Sequence, residues 1–403
     1  MTTPVPPQAL VTKLTDQTPR VRVRQEEAQA AVYRILLAYG MEDEAAAIIA
    51  AHLVDANLCG VESHGVMRIL QYADQFDRGY MKPTGRAERC HQDGFFQTIN
   101  GLKGHGIPVM KQAFDWSMEL ARAHGIAVTS VVNLGHTGRH GAFADAAAEQ
   151  GFMTILIGGG NRTLWRQVAP YGGIEPKLPT NPYCIGIPGD EHGPFVLDFA
   201  TAMIAGGWIY AAENAGATLP EGVMIDKHGA PSVNPQDYFD GGAILPAAGQ
   251  KGYALALAAE LIAEALIGPV ETEANWLLLM IDTTRMTSAD HLKARAEVIF
   301  ADMKNTRPAP NVKAVEIPGQ RERALREAAD GQINLPEKTW QDIRVLDRKM
   351  ASHPWGSGGH GWLFLGERLT VKLRHAPRFV PWLNRGMGAV LIALGIRLEF
   401  ETK

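Results

Sequence analysis

A mixed α/β (α+β) fold follows from three observations in this 403-residue chain. Apolar β-branched runs, which read as buried strands, alternate with segments of helical period. Glycine-rich loops join the two kinds of segment. A long Ala-rich stretch of helical character precedes them, so a helical region is expected beside a sheet covered by helices.

From Gln25 to about Tyr72 the pattern is helical. The run Glu42-Asp43-Glu44-Ala45-Ala46-Ala47 places acids at a helix start, where they suit the dipole. Gly101 to Gly106 reads as a glycine-studded loop and Val109 to Ala123 as a helix. Ile126 to Val132 is a buried-strand run, Ala142 to Gln150 a helix and Phe152 to Ile157 a second strand. Cys184 to Ile187, Phe195 to Leu197 and Leu277 to Ile281 are further strands, and Gly252 to Leu266 is a long helix. The expected division is a flexible leader (1–24), a helical N-terminal domain (25–95) and an α/β domain for cofactor and substrate (96–300). C-terminal helices (301–347) then pack on the N-terminal domain, followed by an atypical linker and tail (348–403).

Composition narrows the function. A net charge of −4 offers no electrostatic footprint for nucleic acid. Cys59, Cys90 and Cys184 are too few and scattered for a disulfide framework, and a reducing, cytoplasmic location is expected. The eleven-residue apolar run Gly386 to Ile396 falls short of the roughly 20 residues a bilayer span takes, so no membrane partner is expected.

Hydride exchange between a nicotinamide and an alcohol or ketone carbon needs a proton shuttle, a cation for a substrate carboxylate, and a seat for the cofactor. His136, between Gly135 and Gly138 after a strand, is the candidate shuttle. On its own it reads first as a surface-loop histidine; the other motifs beside it turn the reading to the functional one. His64 and Arg68 share a face if their segment is helical, and a guanidinium matches a carboxylate bidentately. The plainer reading is a capping Ser63 with a solvated arginine. Thr180-Asn181-Pro182 offers polar groups at a rigid turn. Asp198, at a strand end, can orient a histidine or bind a ribose; it serves equally as the N-cap of a helix beginning near Ala200. Lys251 opens a helix where charge and free amides can meet a phosphate, or it is a solvated lysine. His136-x3-His140 has a metal-pair spacing but lacks the following Glu, and no metal is expected. Gly158-Gly159-Gly160-Asn161 lacks the full dinucleotide fingerprint, so a Rossmann domain is not inferred.

Taken in order, Ser63-His64-Gly65 with Arg68, Gly104-His105-Gly106, His136 with Gly138 and Gly141, Pro170-Tyr171-Gly172-Gly173, Thr180-Asn181-Pro182, Asp198-Phe199-Ala200-Thr201, Lys251-Gly252 and Ile317-Pro318-Gly319 resemble the type 2 malate/L-lactate dehydrogenase family. The resemblance runs from about Gln25 to Asp342. It departs at Pro179, where the family usually has Gly, at Ala202, where Ser is common, and after Asp347. It implies a non-Rossmann cofactor sheet domain beside a helical domain, NAD or NADP as cofactor, and a homodimer acting on a small carboxylate substrate. It further implies His136 as the proton donor and acceptor, with His64 and Arg68 lining the substrate site. Gly160, Asn161, Thr180, Asn181, Pro182, Asp198, Ala200, Thr201 and Lys251 would hold the cofactor.

The reading is therefore an NAD(P)-dependent oxidoreductase of small 2-hydroxy acids, with cyclic imino acid reduction as a close variant. A catalytically impaired fusion product and a metal-dependent hydrolase are the readings from other classes. The tail around Pro381-Trp382-Leu383 resembles the end of LysE-type exporters and is expected to pack loosely or stay poorly ordered.

Overall fold

Residues 19–310 and 312–352 are described by the computed structural model. The expectations for the tail lie outside these residues. Strand β1 (Arg20–Arg24) leads into helices α1 (Gln25–Ala38), α2 (Asp43–Leu58) and α3 (Arg68–Asp77). In α2 the buried positions Ala46, Ile49, Ala50, Leu53 and Val54 repeat at three- and four-residue spacing, one stripe of a 3.6-residue period.

Next come β2 (Glu88–Asp93), β3 (Phe96–Gly104), α4 (Gly106–His124), β4 (Ile126–Leu134), α5 (His140–Glu149) and β5 (Phe152–Gly160). They are followed by β6 (Pro182–Asp190), β7 (Gly193–Ala200) and α6 (Gly206–Ala215). A small three-stranded sheet holds β8 (Met224–Ile225), β9 (Pro231–Ser232) and, after α7 (Pro235–Phe239), β10 (Ala243–Ile244). Helix α8 (Gln250–Glu260) passes into a π-helix over Leu261–Ile267, then come β11 (Ala274–Asp282) and α9 (Ala289–Lys304). The chain continues through α10 (Gln320–Ala328), β12 (Gln332–Pro336) and α11 (Glu337–Ala351).

The main sheet has seven strands in the order β2-β3-β4-β11-β5-β6-β7. Only β3 and β4 run parallel, with α4 as the crossover; every other neighbouring pair is antiparallel. In β4 the residues Ala127, Thr129 and Val131 alternate into the core, as a strand with period two requires.

Four local readings of the sequence are corrected. Residues 20–24, assigned to the leader, form β1, which pairs with β12. Strand β2, within the stretch read as the helical N-terminal domain, is the edge of the main sheet. The Gly101–Gly106 loop is the end of β3 and the start of α4, with His105 alone between them. The glycines there serve close approach: a Cβ on Gly106 would lie 2.1 Å from the Gly135 carbonyl oxygen. Finally, Asp198 lies inside β7, and the next helix starts only at Gly206, so Asp198 is not its N-cap.

Candidate active site

The end of β4 delivers His136 into a cleft of about 1980 Å3, larger than the roughly 300–1,000 Å3 of a pocket for one small ligand. Asn133 takes a positive φ of 57° as the strand ends, and the Gly135 amide donates to the Gly104 carbonyl (2.9 Å). Beyond the histidine, the Arg139 amide donates to His52 Nε2 (2.9 Å), and the Arg139 guanidinium meets Asp55 at 2.7 Å. A Cβ on Gly138, whose φ is +72°, would come within 2.3 Å of that same His52 nitrogen. The loop carrying His136 is thus pinned at both ends.

Around His136 the ring nitrogen Nδ1 lies 2.8 Å from the Tyr72 hydroxyl and receives the Gly138 amide at 3.3 Å. His105 meets the Tyr72 ring edge-on at 4.3 Å, and the His64 ring lies 5.4 Å from that of His136. Burial, then the charge of Arg68 and the neighbouring histidines, holds the His136 pKa well below its usual value. Burial and Arg68 lower His64 to about 3. Burial likewise raises Tyr72 above an ordinary phenol, so its hydroxyl stays protonated.

His64 and Arg68 do not share a helix. His64 closes a single 3-10 turn (Glu62–His64), whereas Arg68 is the first residue of α3. Both nevertheless line the cleft. Arg68 Nε donates to the Ser63 carbonyl (2.6 Å) and Nη1 to Gln71 Oε1, which orients the guanidinium.

Asp198 faces the first turn of α5 instead of capping a helix of its own. Its Oδ2 accepts from the Gly141 amide (2.7 Å), and Oδ1 stands 3.8 Å from His140 Nδ1. Burial opposes ionisation there, but hydrogen bonding and charge from His140, with the Gly141 amide, keep the carboxyl below its usual pKa. His140 Nε2 in turn lies 2.7 Å from Thr137 Oγ1, and its ring packs on Trp276 at 4.5 Å.

The opposite wall is built by the end of β5 and the start of β6. Glu260, at the end of α8, holds the two together: its Oε1 accepts from the Gly160 amide (3.0 Å) and from Asn181 Nδ2. The Thr180 carbonyl accepts from both the amide (2.9 Å) and hydroxyl (3.0 Å) of Thr201. Gly160, Thr180, Asn181, Pro182, Asp198 and Ala200 line the cleft. Buried Thr201 supports the wall from behind. Pro179 packs over Gly160, where a Cβ would approach its Cγ to 2.7 Å. Asn161 borders an adjoining cavity of about 260 Å3, its side chain closing its own turn through the Thr163 amide (3.0 Å). Lys251 is exposed in the first turn of α8 and is not among the cleft-lining residues.

This wall suits a nicotinamide nucleotide. Asn181 Oδ1 is buried without a hydrogen-bond partner in the protein, and the group to be seated carries a carboxamide that can donate to it.

Several residues here escaped sequence reasoning. Tyr72 follows Arg68 by four residues on α3, a spacing that marks one helix face and was available. Glu260 and Trp276 carried no such signal, since each meets the site across long sequence separations.

The malate/L-lactate dehydrogenase family model matches residues 23–344. Hydroxycarboxylate dehydrogenase B of Escherichia coli (strain K12) is 31% identical over 322 residues, covering 75% of this chain and 87% of that protein. The L-lactate dehydrogenase of Cupriavidus necator is 30% identical over 332 residues, covering 78% and 94%. A solved structure, a putative malate/lactate dehydrogenase from E. coli, superposes with a TM-score of 0.77 at 28% identity, over 83% of this chain and 96% of that one.

Proposed function

The chain belongs to the malate/L-lactate dehydrogenase family, and on that footing we propose that it is an NAD(P)-dependent oxidoreductase interconverting a small 2-hydroxy acid and its 2-oxo acid. The observation that carries this reading is the placement of His136. Its Nδ1 is engaged by Tyr72 and Gly138, which leaves Nε2 for a substrate oxygen, and Arg68 lines the same cleft.

In the oxidative direction Arg68 receives the substrate carboxylate, and neutral His136 takes the hydroxyl proton as the carbon is oxidised. A bound nicotinamide supplies the hydride acceptor, or the donor in reverse. In the reductive direction His136 returns that proton to the carbonyl oxygen. Tyr72 accepts from Nδ1–H in the tautomer whose bare Nε2 takes the proton, and donates to a bare Nδ1, beside the Gly138 amide, in the neutral tautomer that carries the proton on Nε2. His64 narrows the substrate end of the cleft. Gly160, Thr180, Asn181, Pro182, Asp198 and Ala200 hold the cofactor, with Thr201 and Asn161 shaping the segments behind them.

A homodimer in a reducing, cytoplasmic setting completes the reading. Leu261, Leu266, Met286, Val298 and Ile299 are exposed, apolar area that a second copy would cover. All three cysteines are free thiols. The test is a panel of 2-hydroxy acids, 2-oxo acids and cyclic imines, followed through cofactor absorbance with NAD and NADP separately. Turnover of imines alone, or of nothing, overturns the assignment.

A further inference from the structure

Glu273 is a carboxylate in the substrate cleft that the chemistry above does not use. It immediately precedes β11, whose first residue, Ala274, is in register with Leu134 on one side and Gly160 on the other. Glu273 therefore stands between the strand end that delivers His136 and the one that delivers the cofactor wall. Its carbonyl oxygen accepts the Asn161 amide (2.9 Å), and its Oε1 accepts from Gln75 Nε2 (3.1 Å), three residues beyond Tyr72 on α3. It is within electrostatic reach of Arg68 and Tyr72.

Other cations along the cleft already face carboxylates: Arg20 meets Glu62, Arg139 meets Asp55, Arg323 meets Asp145 and Lys338 meets Asp342. Arg166 is exposed, its Nε donating to the Arg162 carbonyl. Glu273 is a cleft carboxylate within electrostatic range of Arg68, so an acid whose carboxylate occupies Arg68 is bound within reach of its charge. Burial, outweighing Gln75 and Arg68, raises this carboxyl above its usual pKa; exclusion of a second anion therefore belongs to the pH range in which Glu273 is ionised, since the protonated acid would donate to that anion.

We propose that Glu273 sets substrate choice: it selects 2-hydroxy acids whose far end is a neutral hydrogen-bond donor, such as an amide or hydroxyl, against acids with a second anion. This rests on the 2-hydroxy acid reading above. Specificity of this kind comes from repulsion of the wrong ligand as much as attraction of the right one.

The experiment compares kcat/KM for three acids of similar size, malate, its 4-amide and 2-hydroxybutanoate, in wild type, Glu273→Gln and Glu273→Asp. Wild type should favour the amide over malate by about tenfold or more, the scale of a like-charge penalty. Glu273→Gln should raise malate relative to both the amide and 2-hydroxybutanoate by about the same factor. Glu273→Asp, which keeps the charge, should keep the preference; this and an unaltered melting temperature exclude a folding effect. A malate-to-amide ratio unchanged by Glu273→Gln, or a wild type that prefers malate, overturns the proposal. Turnover of 2-hydroxybutanoate shows that the underlying reading survives such a result. Failure of all three acids with both cofactors defeats the reading and the proposal together.

Discussion

The Tyr72 hydroxyl lies 2.8 Å from His136 Nδ1, joining α3 to the loop after β4 across 64 residues of sequence. Because burial keeps Tyr72 un-ionised, the contact remains a neutral hydrogen bond and orients the ring without adding charge. Tyr72→Phe keeps the ring on His105 and removes only that bond. We expect kcat to fall about tenfold, the equivalent of one ordinary hydrogen bond, with KM little changed. Steady-state kinetics decides it, and an unaltered kcat removes Tyr72 from the site.

His136→Ala should lower kcat by about 10²–10⁴, the usual contribution of a general acid–base group. Reduced-cofactor binding, followed by fluorescence titration, should persist because the nucleotide wall is built from other strands. The wild-type profile carries a sign as well. With the His136 pKa held well below its usual value, kcat/KM for hydroxy-acid oxidation should lose its acidic limb to pH below about 6.5 and stay flat through neutrality as far as this group is concerned. A limb rising between pH 7 and 8 would assign the proton to another group.

Arg68→Lys should weaken carboxylate substrates by about tenfold or more while sparing uncharged hydroxy ketones, because an ammonium cannot make the two-point contact. Equal losses for both classes would show that Arg68 only shapes the cleft.

His52 makes stability pH-dependent. Burial, then Arg139, lowers its folded pKa to about 3, against about 6.5 in an unfolded chain. The unfolded chain therefore binds the proton first, and stability present above pH 6.5 is lost progressively as pH falls towards 3, by up to a few kcal/mol. Urea midpoints between pH 4 and 7 should fall less steeply in His52→Gln, whose amide oxygen can still accept the Arg139 amide. Parallel slopes would transfer the effect to His64 and His105, which burial lowers to a similar value.

Glu260→Ala would strand the Gly160 amide, at about 1–3 kcal/mol for an unsatisfied buried group, and leave Asn181 Nδ2 with only its long bond to the Gly158 carbonyl (3.4 Å). Thermal unfolding should register the loss, and nicotinamide affinity should drop with it. Glu260→Gln keeps an acceptor and should recover most of both. Equal behaviour of the two variants would refute the tether.

What the sequence determined by itself was local chemistry and order. The β-branched runs, the three- and four-residue spacing in α2 and the glycine-flanked His136 follow from backbone propensity and side-chain period, which act over a few residues. The series of motifs carried the family in the same way, as did the mixed α/β class. Several things were decided only by the tertiary structure. The glycines of Gly104-His105-Gly106 signal a loop locally, yet they are needed because two strand ends and a helix start come within van der Waals contact there. Asp198 looks like a helix N-cap, yet its carboxylate serves the Gly141 amide of another element. His64 and Arg68 were placed together for the wrong reason, since a 3-10 turn and a helix start converge where one helix was expected. Glu260 and Glu273 were silent in sequence because their partners lie 79 and 198 residues away. Sheet register brings β5, β6 and β11 side by side, and desolvation at their shared end turns ordinary carboxylates and histidines into perturbed ones. Neither register nor desolvation is a property of a short stretch of chain.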